Sequence, residues 1–364
     1  MSVAAQTVVA PPPQAFRAEK LALVPVASFS GMRALLWSGK TLYACHGYEL
    51  FRCRPEIGRI EWEFMARYRP AWWRRLTGSQ RLASRIFRDG FHCLAQLPSG
   101  DLVGAVPGAI VRKARAEREF TVTHCIQRGT RPLNITATPD GRVFWGEYFD
   151  NAEREEVHVY ASADSGRTWE IAYTFSRDTV RHIHNVVFDE VDRRLWVLTG
   201  DEKDECKILR ASLDFSDVEV VLCGDQQARA VALVPTRDAV YFASDTPLER
   251  NHVYRMDRSG QVRSVATVAS SSIQGCRVGD SIFFSTMAEP SETNAADSVG
   301  LYGSSDGSEW QCFKQWRKDR WPMRFFQYGN AFLPTGQNET GLLAVSTIAV
   351  EPGDTQTTFW QVIA

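Results

Sequence analysis

Short runs in which apolar and polar residues alternate make up most of this chain, and glycine-containing turns separate them. Alternation with a period of two predicts half-buried strands, and the turns predict hairpins. The pattern also repeats. An apolar strand, a tight turn and a second strand ending in polar residues recur from Met32, Phe91, Leu133, Ile183, Arg229, Ile273 and Phe326. Successive starts lie 42 to 59 residues apart. A further hairpin follows each of the first six, as at residues 157–175, 206–222, 252–268 and 301–316.

Four strands per repeat of this length predict an all-β chain, a single seven-bladed β-propeller. The last repeat runs out of chain before its fourth strand. Residues 19–28 precede the first repeat without a partner, so they are expected to supply that strand and cover its edge. The domain then spans residues 16–364. Residues 1–15, with Pro11, Pro12 and Pro13, are expected to form a disordered leader.

Charge and motifs narrow the function. The 42 basic and 43 acidic residues leave a net charge of -1, which argues against nucleic acid as a partner. No apolar run approaches the length of a membrane-spanning helix. The N-terminus lacks the basic segment of a secretory signal. Eight cysteines without a C-x-x-C pair, several of them in apolar runs, are expected to be free thiols of a cytoplasmic protein. No phosphate-binding loop, dinucleotide fingerprint or H-E-x-x-H motif occurs.

Residues 162–169, SADSGRTW, fit the pattern S-x-D-x-G-x-T-W, and residues 304–310, SSDGSEW, are a shortened form. The chain thereby resembles the Asp-box, or BNR-repeat, sialidase-like propellers. In that family the motif is a structural turn away from the catalytic face. Asp164 is therefore expected to bind amides of its own turn, Gly166 to take a positive φ, and Trp169 to pack between blades. The stretch from Glu147 through His182 and His184 to Asp201 also looks like glycosyl-hydrolase-like proteins of bacterial surface-polysaccharide clusters. The histidines are similar in outline to those at the metal of seven-bladed oligogalacturonate lyases.

In a propeller, the loop into each first strand and the loop out of each second strand meet at one mouth of the channel. Inlet positions hold Arg33, His92, Arg131, Asn134, Arg181, His182, His184, Arg229 and Gln274. Outlet positions hold Glu147, Tyr148, Asp201, Asp245 and Glu289. His182 and His184 share one side of a strand, so they suit a divalent metal, a proton-transfer pair or sugar hydroxyls. Glu147, Asp201 and Asp245 come from consecutive repeats and can supply the two carboxyl groups of glycoside cleavage. Arg131, Arg181 and Arg229 suit an anionic ligand, with Asn134, Tyr148 and Gln274 as further contacts. Gly146 and Gly200 are expected to admit a ligand close to the backbone.

Between the first two repeats, residues 67–88 hold seven arginines and no acid. At helical period Trp72, Trp73, Leu76, Ile86 and Phe87 fall on one side, and Arg74, Arg81, Arg85 and Arg88 on another, with Arg75 nearby. This predicts an inserted amphipathic helix over about 67–89, broken near Gly78, that rests on an anionic membrane. The leading expectation is a glycoside hydrolase or lyase acting on an acidic or lipid-linked bacterial polysaccharide. The alternative is a non-catalytic glycan-binding or scaffold propeller of a membrane-associated assembly.

Overall fold

The computed structural model describes residues 21–364. The expected leader and the first two residues of the expected closing strand lie outside that range. Strands dominate the described chain, and its helices are few and short. Three sheets are four-stranded meanders. One is built from Thr136–Ala137, Val143–Gly146, Val157–Ser162 and Glu170–Phe175. The next holds His182–Asp189, Arg194–Gly200, Lys207–Ala211 and Val218–Cys223, and the third Ala230–Pro235, Ala239–Ser244, Asn251–Asp257 and Val262–Val268. The meander of Ser272–Val278, Ser281–Thr286, Ser298–Ser304 and Gln311–Lys318 gains Val350–Glu351 as a fifth strand.

The first two repeats merge. Glu63–Tyr68 pairs in parallel with Glu119–Cys125, through Arg67 opposite Glu119 and Tyr68 opposite Phe120, which makes one nine-stranded sheet. Alternation along a single strand carries no information about such lateral pairing. At the other end of the chain, Ala22–Ser30 pairs with Gln356–Ile363, so a strand from the N-terminus completes the last sheet as the sequence implied. First strands of successive sheets pack on one another in chain order. Thr335–Asn338 touches Ser272–Val278 and pairs with Arg33–Gly39, so the series returns to its start.

Burial explains the patterns. The second strand Arg194–Gly200 is buried on both faces and reads as a nearly continuous apolar run. The fourth strand Val218–Cys223 is partly exposed throughout, as fits an outer edge. Four first strands carry a register shift near their start, at Ala34/Leu36, Ile183/Asn185, Ala230/Ala232 and Ser272/Gln274. A bulge there re-aims side chains toward the channel.

The turn at residues 162–169 is self-contained. Asp164 accepts from the amides of Arg167 and Thr168, both at 2.9 Å, and from the Thr168 and Ser162 hydroxyls. Gly166 has φ +77°, and a Cβ there would lie 2.6 Å from Val103 of the neighbouring sheet. Trp169 donates to Thr123 of that sheet at 3.1 Å. Asp214 and Asp257 hold the equivalent turns of the next two sheets, without the sequence motif.

Residues beyond Tyr68 form two short helices, Trp72–Gly78 and Arg81–Phe87, rather than one long one. Arg85 is fully buried against Asp319 at 2.6 Å and the Phe326 carbonyl. Arg74 pairs with Asp89 at 2.8 Å, and Arg81 with Asp354. Two of the arginines expected on a free basic face, Arg81 and Arg85, therefore anchor the hairpin to the sheets, and Arg74 closes it on the residue just beyond its second helix. Helices of seven residues are marginal alone and depend on such anchors. All eight cysteines are free, five of them buried. No helix among the described residues is long and apolar enough to cross a membrane.

Candidate active site

The channel holds a cavity of about 1340 Å³. His184, Asp201, Arg229, Asp245, Gln274 and Glu289 lie on one wall, and Arg33, Arg88, His92 and Arg131 on another. Tyr148 and Asn134 also line it.

The bulge in His182–Asp189 leaves His184 without a cross-strand partner and aims it beside His182. Both imidazoles are buried, and their Nε2 atoms lie 3.1 Å apart. His182 Nδ1 is 3.1 Å from the Phe149 carbonyl, and His184 Nδ1 is 2.9 Å from the Ala230 carbonyl. A carbonyl only accepts, so each Nδ1 carries a proton and each ring turns its Nε2 inward. Asp201 meets those Nε2 atoms, at 3.1 Å from His184 and 3.4 Å from His182. Three electron-pair donors thus converge where a single proton or cation would bind them together.

Electrostatics separates the carboxyl groups. Burial alone would raise the Asp201 carboxyl, but the two histidines hold it far below the ordinary carboxylate range. Arg229 adds a contact to it at 3.3 Å and Arg181 one at 3.5 Å. Asp245 is buried, and burial pushes its carboxyl up despite Arg229, whose Nε lies 3.8 Å away. Glu289 is raised for the same reason, with the Asp245 charge adding to the effect. One guanidinium therefore joins a carboxyl held low to a carboxyl pushed up. Burial also lowers His182 and raises Tyr148 to about 12, and the Tyr148 ring lies 4.3 Å from that of His182.

Two expected residues are placed differently. Glu147 does not line the cavity: its carboxylate accepts from Arg128 and from the His158 amide at 2.9 Å. It is a buried structural acid, because the strand turns its side chain toward the next strand. Arg181 and Arg229 do not form a free anion site with Arg131. They are tied to Asp150, Asp201 and Asp245.

Arg131 has no carboxylate partner, and neither do Arg33 and Arg88 among the described residues. Burial lowers Arg131 to about 10, with repulsion from Arg88 and Arg33 next in weight. Burial, then Arg131 and Arg33, pushes His92 well below its ordinary value. Arg33 lies 4.0 Å over the Phe332 ring, and its Nε is buried without a partner. Arg88 was missed as a cavity residue because its periodicity assigned it to a helix face. Here it is the left-handed cap of that helix, at φ +51°, and points into the mouth.

The glycines admit no ligand. A Cβ on Gly146 would lie 2.3 Å from Ile183, and one on Gly200 would lie 2.6 Å from the His184 ring. Gly146 makes room for Ile183 of the next sheet, and Gly200 for the His184 imidazole of the strand paired with it. Asn134 donates to Asn185 at 3.0 Å, and Gln274 lines the cavity floor of the acidic wall. Gly303 to Gly307 spell G-x-S-x-G, but Ser305 sits in a strand-to-strand turn and not at the strand-to-helix elbow that such chemistry needs.

No protein-family profile and no curated protein sequence matches the chain. Similarity to solved structures is extensive but shows the fold alone. The WD40 propeller domain of Doa1 matches at a TM-score of 0.56 and 9% identity, over 94% of this chain and 97% of that one. A GH74 enzyme of Niastella koreensis matches at 0.53 and 14%, over 80% and 46%. The extracellular domain of a putative one-component system of B. thetaiotaomicron matches at 0.54 and 12%, over 94% and 42%. This chain thus spans less than half of the latter two. The fold is a β-propeller.

Proposed function

We propose that the chain is a seven-bladed propeller and a carbohydrate-active enzyme, a glycoside hydrolase or lyase, that cleaves an acidic glycan in this cavity. The observation that carries the reading is the fixed orientation of the histidine pair beside two carboxyl groups pushed in opposite directions, Asp201 down and Asp245 up. His184, on the cavity wall, is the base, taking a proton from the water that attacks the sugar carbon in a hydrolase, or from the carbon beside the sugar carboxylate in a lyase that leaves a double bond. Asp201 holds the ring and stabilises the imidazolium that forms, and His182 shares the proton. Asp245 donates a proton to the departing glycosidic oxygen. Groups pushed apart in this way divide the acid and base roles. Arg131, Arg33 and Arg88 face them across the cavity and accept the anionic groups of the sugar chain.

A second reading is favoured by donor spacing. The His182 and His184 Nε2 atoms lie 3.1 Å apart, near the edge of about 3.3 Å expected for tetrahedral bonds near 2.0–2.1 Å, and Asp201 brings Oδ1 to 3.1 Å from His184 and Oδ2 to 3.4 Å from His182. These three residues would then hold a divalent ion, which would supply Lewis-acid chemistry. The positive charges of Arg181 and Arg229 beside Asp201 oppose this.

The test is turnover of a panel of acidic polysaccharides, with elemental analysis of the purified protein. Asp245→Asn and His184→Gln are each expected to lower kcat by about 100-fold or more. A stoichiometric metal lost with His184→Gln selects the second reading. Cleavage that survives both substitutions sinks the roles given to Asp245 and His184. Glycan binding without any turnover would make the chain a glycan-binding propeller.

A further inference from the structure

We infer that the helical hairpin beside the channel mouth is a docking surface for anionic lipid. Its apolar side chains face solvent: Trp72 is 76% exposed, Leu76 61%, Ile86 46% and Phe87 44%. The adjoining helix Met323–Phe326 adds Phe325, 60% exposed. The two elements are joined, since Arg85 donates to the Phe326 carbonyl and Gln327 donates back to the Arg85 carbonyl at 2.8 Å.

Charge selects the occupant. The carboxylates of this region are all committed to cations: Asp89 to Arg74, Asp319 to Arg85 and Lys318, and Asp354 to Arg81. Arg75 and Arg324 are exposed and have no acidic partner among the described residues. What the patch presents is therefore apolar side chains among unopposed guanidinium groups. That combination fits an anionic headgroup layer, where aromatic and aliphatic side chains enter the interface and arginines meet phosphates. A protein partner would meet the same apolar area, but nothing would require its surface to be acidic.

The surface is continuous with the cavity. Ile86, Phe87 and Arg88 line both the hairpin's outer face and the channel mouth. Docking there would set the mouth against the lipid, and the glycan would be lipid-linked, a consequence that rests on the function proposed above.

The test is sedimentation of the full chain with vesicles of equal parts phosphatidylcholine and phosphatidylglycerol, and with phosphatidylcholine alone. Binding to the mixed vesicles only is expected. Trp72→Ser/Leu76→Ser and, separately, Arg75→Glu/Arg324→Glu are expected to weaken it by about tenfold or more. Phe325→Ser serves as a third variant if either double variant melts early. Failure to bind the mixed vesicles overturns the proposal, as does binding unchanged by all the variants. Turnover of a soluble glycan fragment should be retained in Trp72→Ser/Leu76→Ser. Vesicle binding by a chain that cleaves no glycan would sink the enzymatic reading and leave this surface standing.

Discussion

Asp245 is the residue whose environment most directly sets a measurable property. Arg229, His184, Asp201, Glu289 and Tyr148 are the charged or titratable groups near it. Burial dominates and raises its carboxyl. A raised carboxyl is protonated below its folded value, so a general acid there works at low pH and fails as pH rises through that value. The kcat profile of the full chain should therefore have a descending alkaline limb set by Asp245. The stability consequence has the same origin. A carboxyl that binds its proton more tightly when folded stabilises most below its unfolded value, and the contribution disappears as pH climbs through the folded one. Asp245→Asn should raise the melting temperature at neutral pH while removing turnover. A lower melting temperature would show that the ionised form is the stable one. Gly200 makes a second residue-scale case. A methyl group 2.6 Å from His184 must push the ring off Asp201. Gly200→Ala should lower kcat by about 100-fold, the cost of displacing a reacting group by about 1 Å, with the circular dichroism spectrum unchanged.

Strands and turns explain what the sequence revealed and what it concealed. Alternation and glycine turns placed the first strand of every sheet within four residues of where it lies, because a half-buried strand must write its burial into its own residues. The turn at 162–169 was legible for the same reason, since its bonds run between residues at most four apart. Its removal should cost stability and nothing else. Asp164→Ala loses charge-assisted bonds to two amides and two hydroxyls, and about 2 kcal/mol is expected in urea unfolding, with turnover unaffected. The Asp164 carboxyl is lowered to about 2, since its hydrogen bonds outweigh its burial. Its contribution is complete above the unfolded carboxylate range and is lost as pH falls toward 2. The wild-type advantage over Asp164→Ala should shrink in that window. The helical hairpin was legible as two apolar-and-basic helices, but not the pairing of its arginines. Asp319 and Asp354 lie more than 200 residues away, and no periodicity links them to Arg85 and Arg81. Glu147 was misread for a like reason, since Arg128 precedes the repeat in which Glu147 stands.

At the scale of the molecule, the two walls of the cavity differ in composition because different sheets supply them. Arg33, Arg88, His92 and Arg131 come from the first repeats, and Asp201, Asp245 and Glu289 from the later ones. That division exists only if the sheets hold their cyclic order, and the order is closed where the chain's two ends pair, by Thr335–Asn338 with Arg33–Gly39 and by a second pair of strands. Ala22–Ser30 lies along Gln356–Ile363, and Phe29 packs at 5.8 Å from Trp62 and 5.9 Å from Phe359. The strand also seats Leu21, whose carbonyl accepts from Gln311 at 2.6 Å. It thus touches three sheets while belonging to one. A chain lacking residues 1–30 should expose the edge of Gln356–Ile363, lose the cooperative unfolding transition and aggregate, as unpaired edges do. Supplying the missing strand as a peptide should restore a single transition if the rest of the ring is already formed. Denaturant unfolding followed by tryptophan fluorescence and light scattering reads both results. An unchanged midpoint in the shortened chain would mean that contacts between neighbouring first strands hold the cavity walls in place without that second pair, and that the division between the walls is set locally.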